Sequence, residues 1–126
     1  MKIKPELIEI ALGALSRCNI VQDGRYDKEF TGYISSFGAA IIQSGLLPAV
    51  IFFEQEESES AKDRKKIINA VKDIVNKSLP ENEKIDGKLA KYILNHNKAK
   101  DSVFLERVTE SAVALKLALR MYKKNK

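Results

Sequence analysis

The chain has no tryptophan, one cysteine and one histidine in 126 residues. A lone Cys18 excludes an intrachain disulfide, and its place on an apolar stripe reads as a small buried side chain rather than a reactive thiol. A lone His96, in the polar run NHN, leaves any histidine-based metal site dependent on carboxylates, with no supporting cluster. It reads as an exposed polar residue rather than a general base. The six glycines are scattered and none precedes a Lys-Ser or Lys-Thr pair, which excludes a phosphate-cradling loop. Only three prolines interrupt the chain, which suits helices. EQEESES, residues 54–60, holds four carboxylates but lacks the alternating spacing and central glycine of a calcium loop. These absences leave no catalytic residue, no metal site and no cofactor to name, so an enzyme is not expected.

What is present is a globular composition. Apolar residues make up 44% and charged residues 31%, outside the disordered range. The length suits one domain covering residues 1–126, large enough to bury its own core. The start, MKIKPELIEIALGAL, lacks a signal peptide's uninterrupted apolar run, because Glu6 and Glu9 interrupt it. A cytoplasmic location is expected. The net charge of +5 permits an anionic partner such as nucleic acid.

One stretch, FGAAIIQSGLLPAVIFF at residues 37–53, carries no charge at all. As a membrane span it is short and broken by Gln43, Ser44, Gly45 and Pro48. No second convincing strand exists to pair with AVIFF. Two buried helices joined near Gly45 to Pro48 explain every punctuating residue, with Gly45 as a left-handed helix end and Pro48 in a first turn. Gly38, Ala39 and Ala40 would let another helix approach closely.

The rest of the chain is helical in pattern. A first helix opens at Pro5, buries Leu7, Ala11, Ala14, Leu15 and Cys18, and ends around Asp23 and Gly24. A second runs from about Tyr26 to Ser44 on a stripe of Phe30, Ile34, Phe37 and Ile41. The third carries Ala49 to Phe53 and continues into the acidic stretch. A fourth, capped by Ser60 with Asp63, buries Ile67, Ala70, Val71, Ile74 and Val75. Residues 78–86 form a loop, after which Asp86 caps a short helix with Leu89, Ala90, Ile93 and Leu94. Asp101 or Ser102 caps the last, whose stripe runs Phe104, Val108, Ala112, Leu115, Leu119 and Tyr122. The expected fold is an all-α, compact single-domain bundle of about five to six helices.

The basic residues are the candidate working surface. Lys116, Arg120, Lys123 and Lys124 fall at i, i+4, i+7 and i+8, a ridge beside the buried stripe of the last helix. Lys62, Lys65 and Lys72 lie opposite the buried face of the fourth, and Arg107 completes the set. Such ridges can track a phosphate backbone, and no device for reading bases accompanies them.

The order of features also resembles a known family. A tyrosine-bearing helix with Tyr33 leads into the apolar run Phe37 to Ile42. A turn at Gly45 and Leu46 and a short helix from Ala49 to Phe53 follow. The last helix starts Thr109, Glu110, Ser111, Ala112 and carries Leu115, Leu117 and Leu119 into Arg120, Lys123 and Lys124. This resembles the small all-helical subunit of the type III-B CRISPR effector, the Cmr complex. Ser35 and Ser36 stand where that family usually has lysines. The resemblance implies a non-catalytic subunit that packs with other subunits and with copies of itself in a minor filament. It would support the guide RNA and target RNA through their backbones, away from any membrane, in antiviral defence. Two other readings stand beside it: a helical protein–protein adaptor without nucleic acid, and a small DNA-binding regulator.

Overall fold

The computed structural model describes residues 2–126. Six α-helices carry the described fold: α1 Pro5–Arg17, α2 Glu29–Ser44, α3 Leu46–Phe53, α4 Glu59–Asn76, α5 Leu89–Asn95 and α6 Ser102–Leu119. This is the helical bundle the periodicity predicts, with one addition. Three two-residue strands, β1 Val21–Gln22, β2 Arg25–Tyr26 and β3 Lys123–Lys124, form a small sheet in that order.

Helix α1 begins as expected, with Pro5 in its first turn. It stops at Arg17, short of Asp23 and Gly24. Asn19 takes a positive φ of 60°, and the Ile20 amide donates to the Leu15 carbonyl at 3.0 Å, a Schellman ending. Asp23 and Gly24 instead turn the hairpin between β1 and β2, both at positive φ. Two left-handed residues match the twist of a two-residue hairpin, and Asp-Gly is a preferred pair there. Tyr26 therefore lies in β2, and α2 starts three residues later at Glu29.

The uncharged stretch is two helices. Gly45 joins them with φ 92° and ψ 165°, a conformation open essentially to glycine and different from the expected left-handed helical end. Its amide closes α2 on the Ile41 carbonyl and its carbonyl accepts the Ala49 amide of α3. One residue thus serves both helices, and α3 begins immediately at Leu46 with Pro48 in its first turn. Leu46, Ala49, Val50 and Phe53 recur at helical spacing and are buried, and the Phe53 ring lies 5.0 Å from that of Phe37. Helix α3 ends at Phe53, so residues 54–58 are loop, and Glu59 and Ser60 of the acidic stretch belong to the start of α4.

Helix α4 is capped two residues earlier than expected. The Ser58 hydroxyl, not the Ser60 and Asp63 pair, accepts the Ala61 amide at 3.1 Å. Helix α6 packs against α1, α2 and α4 and carries eight buried residues, while α3 bridges α2, α4 and α5. Asp101 caps α6 by accepting the Phe104 amide at 3.0 Å. Helix α6 ends at Leu119, so Tyr122, Lys123 and Lys124 are not on it. The chain turns instead and pairs β3 in parallel with β2, Arg25 facing Lys123 and Tyr26 facing Lys124.

Helix α5 is held from a distance. Asp86 does not cap it, and its N-cap residue, Lys88, makes no side-chain capping bond. The Glu54 carboxyl group, 35 positions earlier, accepts the Leu89 amide at 2.7 Å and the Ala90 amide at 3.0 Å. Glu54 is only 5% exposed and forms no ion pair among the described residues. Replacing Glu54 by alanine strands two amides at a buried helix end, so Glu54→Ala should lower folding stability by about 2–4 kcal/mol. Glu54→Gln, which keeps an acceptor, should cost less. Denaturant unfolding measures both, and hydrogen exchange should show the loss first at Leu89 and Ala90.

The cap at Asp101 makes a second prediction. Its bond from the Phe104 amide, with Lys98 nearby, lowers the carboxyl pKa. A folded pKa below the unfolded one stabilises the fold above the unfolded value of about 3.9. That contribution disappears as pH falls through the folded pKa. Asp101→Asn keeps a capping oxygen without the titration, so unfolding followed below pH 5 should show a flatter acid limb in this variant.

Candidate nucleic-acid interface

The eight cations named from the sequence do not share one surface. On α4, two of three are engaged within the chain. Lys65 pairs with Glu56, and the Lys72 ammonium donates to the Gly87 carbonyl at 2.7 Å. Lys72 thereby holds the turn before α5, where Gly87 sits at φ 77°. Lys62 is exposed and lies 3.5 Å from Glu59, a solvent-screened pair. The α4 row is therefore largely spent on the fold.

The cations of α6 and the C-terminal segment form no ion pair among the described residues. They divide between two sides. Arg107 and Lys116 are nine residues apart, about half a turn out of phase at 100° per residue. Arg107 lines a cleft of about 320 Å³ between α1, α4 and α6, whose apolar wall includes Leu7, Ile10 and Ile74. Lys4 and Lys77 stand at the same cleft. A second hollow of about 280 Å³ shares Arg107 and Ser78 with it and brings in Lys98 and Tyr92. Lys116 borders a different groove, between α2 and α6. Arg120 caps α6, and Lys123 and Lys124 are exposed on β3. The predicted ridge from Lys116 to Lys124 is thus broken after Arg120, because the backbone becomes a strand there.

Lys4 and Lys77 were not singled out in the sequence. They lie 73 positions apart at the ends of two helices, and only the packing of α1 on α4 brings them to one cleft with Arg107. No periodicity within one helix signals that meeting.

His96 ends α5 as an exposed residue, as its sequence context indicates. It stacks on Tyr92 with ring centroids 4.2 Å apart, and Nδ1 lies 3.1 Å from the Tyr92 carbonyl. Cys18 is half-buried against the core at the end of α1. Burial, reinforced by the neighbouring Asp73 carboxylate, pushes its thiol up to about 11. Among the described residues no three His, Cys, Asp or Glu side chains gather to hold a metal ion. No helix of the described residues is long and apolar enough to cross a membrane.

A family model described as CRISPR-associated protein (Cas_Cmr5) matches residues 8–118. The small helical bundle is thus that of a CRISPR-associated protein. More particularly, the chain belongs to the Cas_Cmr5 family, a family of Cmr subunits, and membership implies association with the other subunits of that complex. No curated protein and no solved structure matches the chain.

The raised thiol pKa carries a measurable consequence. Near pH 8 the thiolate fraction should be roughly a hundredfold below that of an ordinary cysteine. Alkylation of folded Cys18 should be slower by about that factor, and it should recover on unfolding. Labelling rates followed by mass spectrometry, with and without denaturant, measure both.

Proposed function

We propose that the chain is a non-catalytic small subunit of a type III-B RNA-guided effector, acting in the cytoplasm in antiviral defence. It packs beside other subunits and copies of itself in a minor filament and supports guide and target RNA through their phosphates. The family match carries this reading. Charge supports it: Arg107, Lys4 and Lys77 outnumber the carboxylates of Glu6 and Glu110 at their cleft, Arg120, Lys123 and Lys124 follow the end of α6, and none of these six cations forms an ion pair among the described residues. Cations left free can release counterions from a backbone, whereas Lys65 and Lys72 would first have to abandon internal partners.

Backbone contacts of this kind are independent of base sequence and weaken steeply with salt. Single-stranded RNA binding by the chain should fall linearly on a logarithmic salt axis. Reversing Arg107, Arg120 and Lys124 together to glutamate should reduce the slope by about 2, given roughly 0.7 per phosphate contact. Lys72→Ala should instead lower stability and leave the slope unchanged. Fluorescence anisotropy across a salt series reads the slope, and an unaltered slope in the triple variant sinks the RNA-supporting role of these residues. The result would then favour the adaptor reading, which the uncharged exposed face of α2 independently supports.

A further inference from the structure

Helix α3 is apolar all round. LLPAVIFF holds no polar side chain, so burying Leu46, Ala49, Val50 and Phe53 leaves its outer face apolar as well. Pro48, Ile51 and Phe52 stand exposed there at helical spacing, and Ile51 and Phe52 are each 48% exposed. A helix without a polar face is normally covered on every side, and an exposed apolar patch rimmed by polar groups marks contact with another molecule. Arg64 of α4 bounds this face, its guanidinium carbon 4.7 Å from the Phe52 ring centroid. Arg64 forms no ion pair and donates no side-chain hydrogen bond among the described residues, and its Nε is buried without a partner. Its neighbours Lys62 and Lys65 are matched by Glu59 and Glu56, whereas Glu57, the other carboxylate of the loop, forms no ion pair with it.

We infer that the outer face of α3, together with Arg64, seats a segment of a different protein chain that carries a carboxylate beside an apolar side chain. The apolar side chain covers Ile51 and Phe52, and the carboxylate accepts hydrogen bonds from the terminal nitrogens of the guanidinium. The Phe52 ring holds the planar guanidinium in place, so a fork that matches a carboxylate is pre-organised and little side-chain freedom is lost on contact. An aromatic side chain and an arginine at the centre of an apolar patch are also the residue types that anchor protein interfaces. Opposite charge selects the polar partner, because Arg64 has no counter-charge within the chain. The occupant is protein rather than RNA. Glu56, Glu57 and Glu59 follow Phe52 closely, and such a run of carboxylates repels a chain of phosphates. A single carboxylate delivered with an apolar side chain meets the arginine instead. The inference rests on the chain being one subunit among several and uses none of the cations assigned to RNA.

The test uses the assembled complex. The chain, with Ile51 replaced by the photoreactive p-benzoylphenylalanine, is co-expressed with the other subunits of its Cmr complex. Irradiation should attach it to one segment of another subunit, with an Asp or Glu within about one helical turn of the attached residue. Ile51→Glu and Arg64→Glu should each lower incorporation into the complex by about tenfold or more, the loss expected of an anchor. The isolated Ile51→Glu chain should melt at the wild-type temperature, because Ile51 is half exposed. Reversing the carboxylate of the attached segment to lysine should restore incorporation of Arg64→Glu. Attachment to RNA, to a second copy of this chain or to a segment without a carboxylate overturns the inference, as does full incorporation of Ile51→Glu. A chain that enters the complex without any cross-link from position 51 overturns it while leaving the chain a subunit. A wild-type chain that never enters the complex overturns the subunit reading as well.

Discussion

A buried carboxyl group with no ion-pair partner among the described residues organises one end of this molecule. Glu54 follows α3 directly, and both its oxygens accept amides from the first turn of α5. A buried acid left alone would cost several kcal/mol, whereas here two N–H bonds and the positive end of a helix offset that cost. The bond is also what a short helix needs. Seven residues form too few turns to be stable in isolation, and α5 packs chiefly on α3. The approach to α5 is tied down in the same way. Asn76 exchanges two bonds with the Ile85 backbone, at 2.7 and 3.0 Å, and Lys84 donates to the Asn76 and Leu79 carbonyls. With Lys72 on Gly87, polar side chains account for most of the connection between α4 and α5. A loop of this length holds one shape because its backbone groups find such partners.

That use of polar groups reshapes the electrostatics. A lysine on a solvated helix face looks available when only its own helix is considered. Lys65 and Lys72 are not, because Glu56 and Gly87 reach them from outside α4. Arg64 too is reached from outside α4, its guanidinium 4.7 Å from the Phe52 ring centroid. Such pairing leaves the net +5 unchanged but decides which cations are held within the chain, and those of α6 and the C-terminal segment form no ion pair among the described residues.

The helices were legible because each apolar stripe is a property of one segment: Phe30, Ile34 and Phe37, or Phe104, Val108, Ala112 and Leu115, are indeed buried. The pair Gly45 and Pro48 was legible because glycine and proline restrict the backbone locally. What escaped depends on distant segments or on short competing signals. Asp86 lies close enough in sequence to cap α5, but Glu54 is the residue that reaches the amides. Lys123 and Lys124 continue the helical spacing of α6, yet the Lys123 amide bonds to the Gly24 carbonyl and the Asn125 amide to that of Tyr26. Pairing with a hairpin a hundred residues earlier outweighs one more helical turn. The Asp-Gly hairpin itself went unread because its strands have two residues each, too few to show alternation. The cleft of Lys4, Lys77 and Arg107 was invisible for the same tertiary reason.

Helix α6 separates two chemically different sides of the protein. A central helix of a bundle must bury a wide stripe, and α6 does so against three neighbours, with Arg107 and Lys116 at seams between them. Arg107 emerges at the seam with α1 and α4, beside Lys4 and Lys77 and the carboxylates of Glu6 and Glu110. Lys116, half a turn away, emerges at the seam with α2, among uncharged side chains. Polyanions are drawn by clustered charge, while close packing of one protein on another is favoured where little charge must be desolvated. The same helix therefore presents one seam rich in charged side chains and one with Lys116 as its single charge. Because both are anchored on a single rigid element, occupation of one leaves the other geometrically accessible.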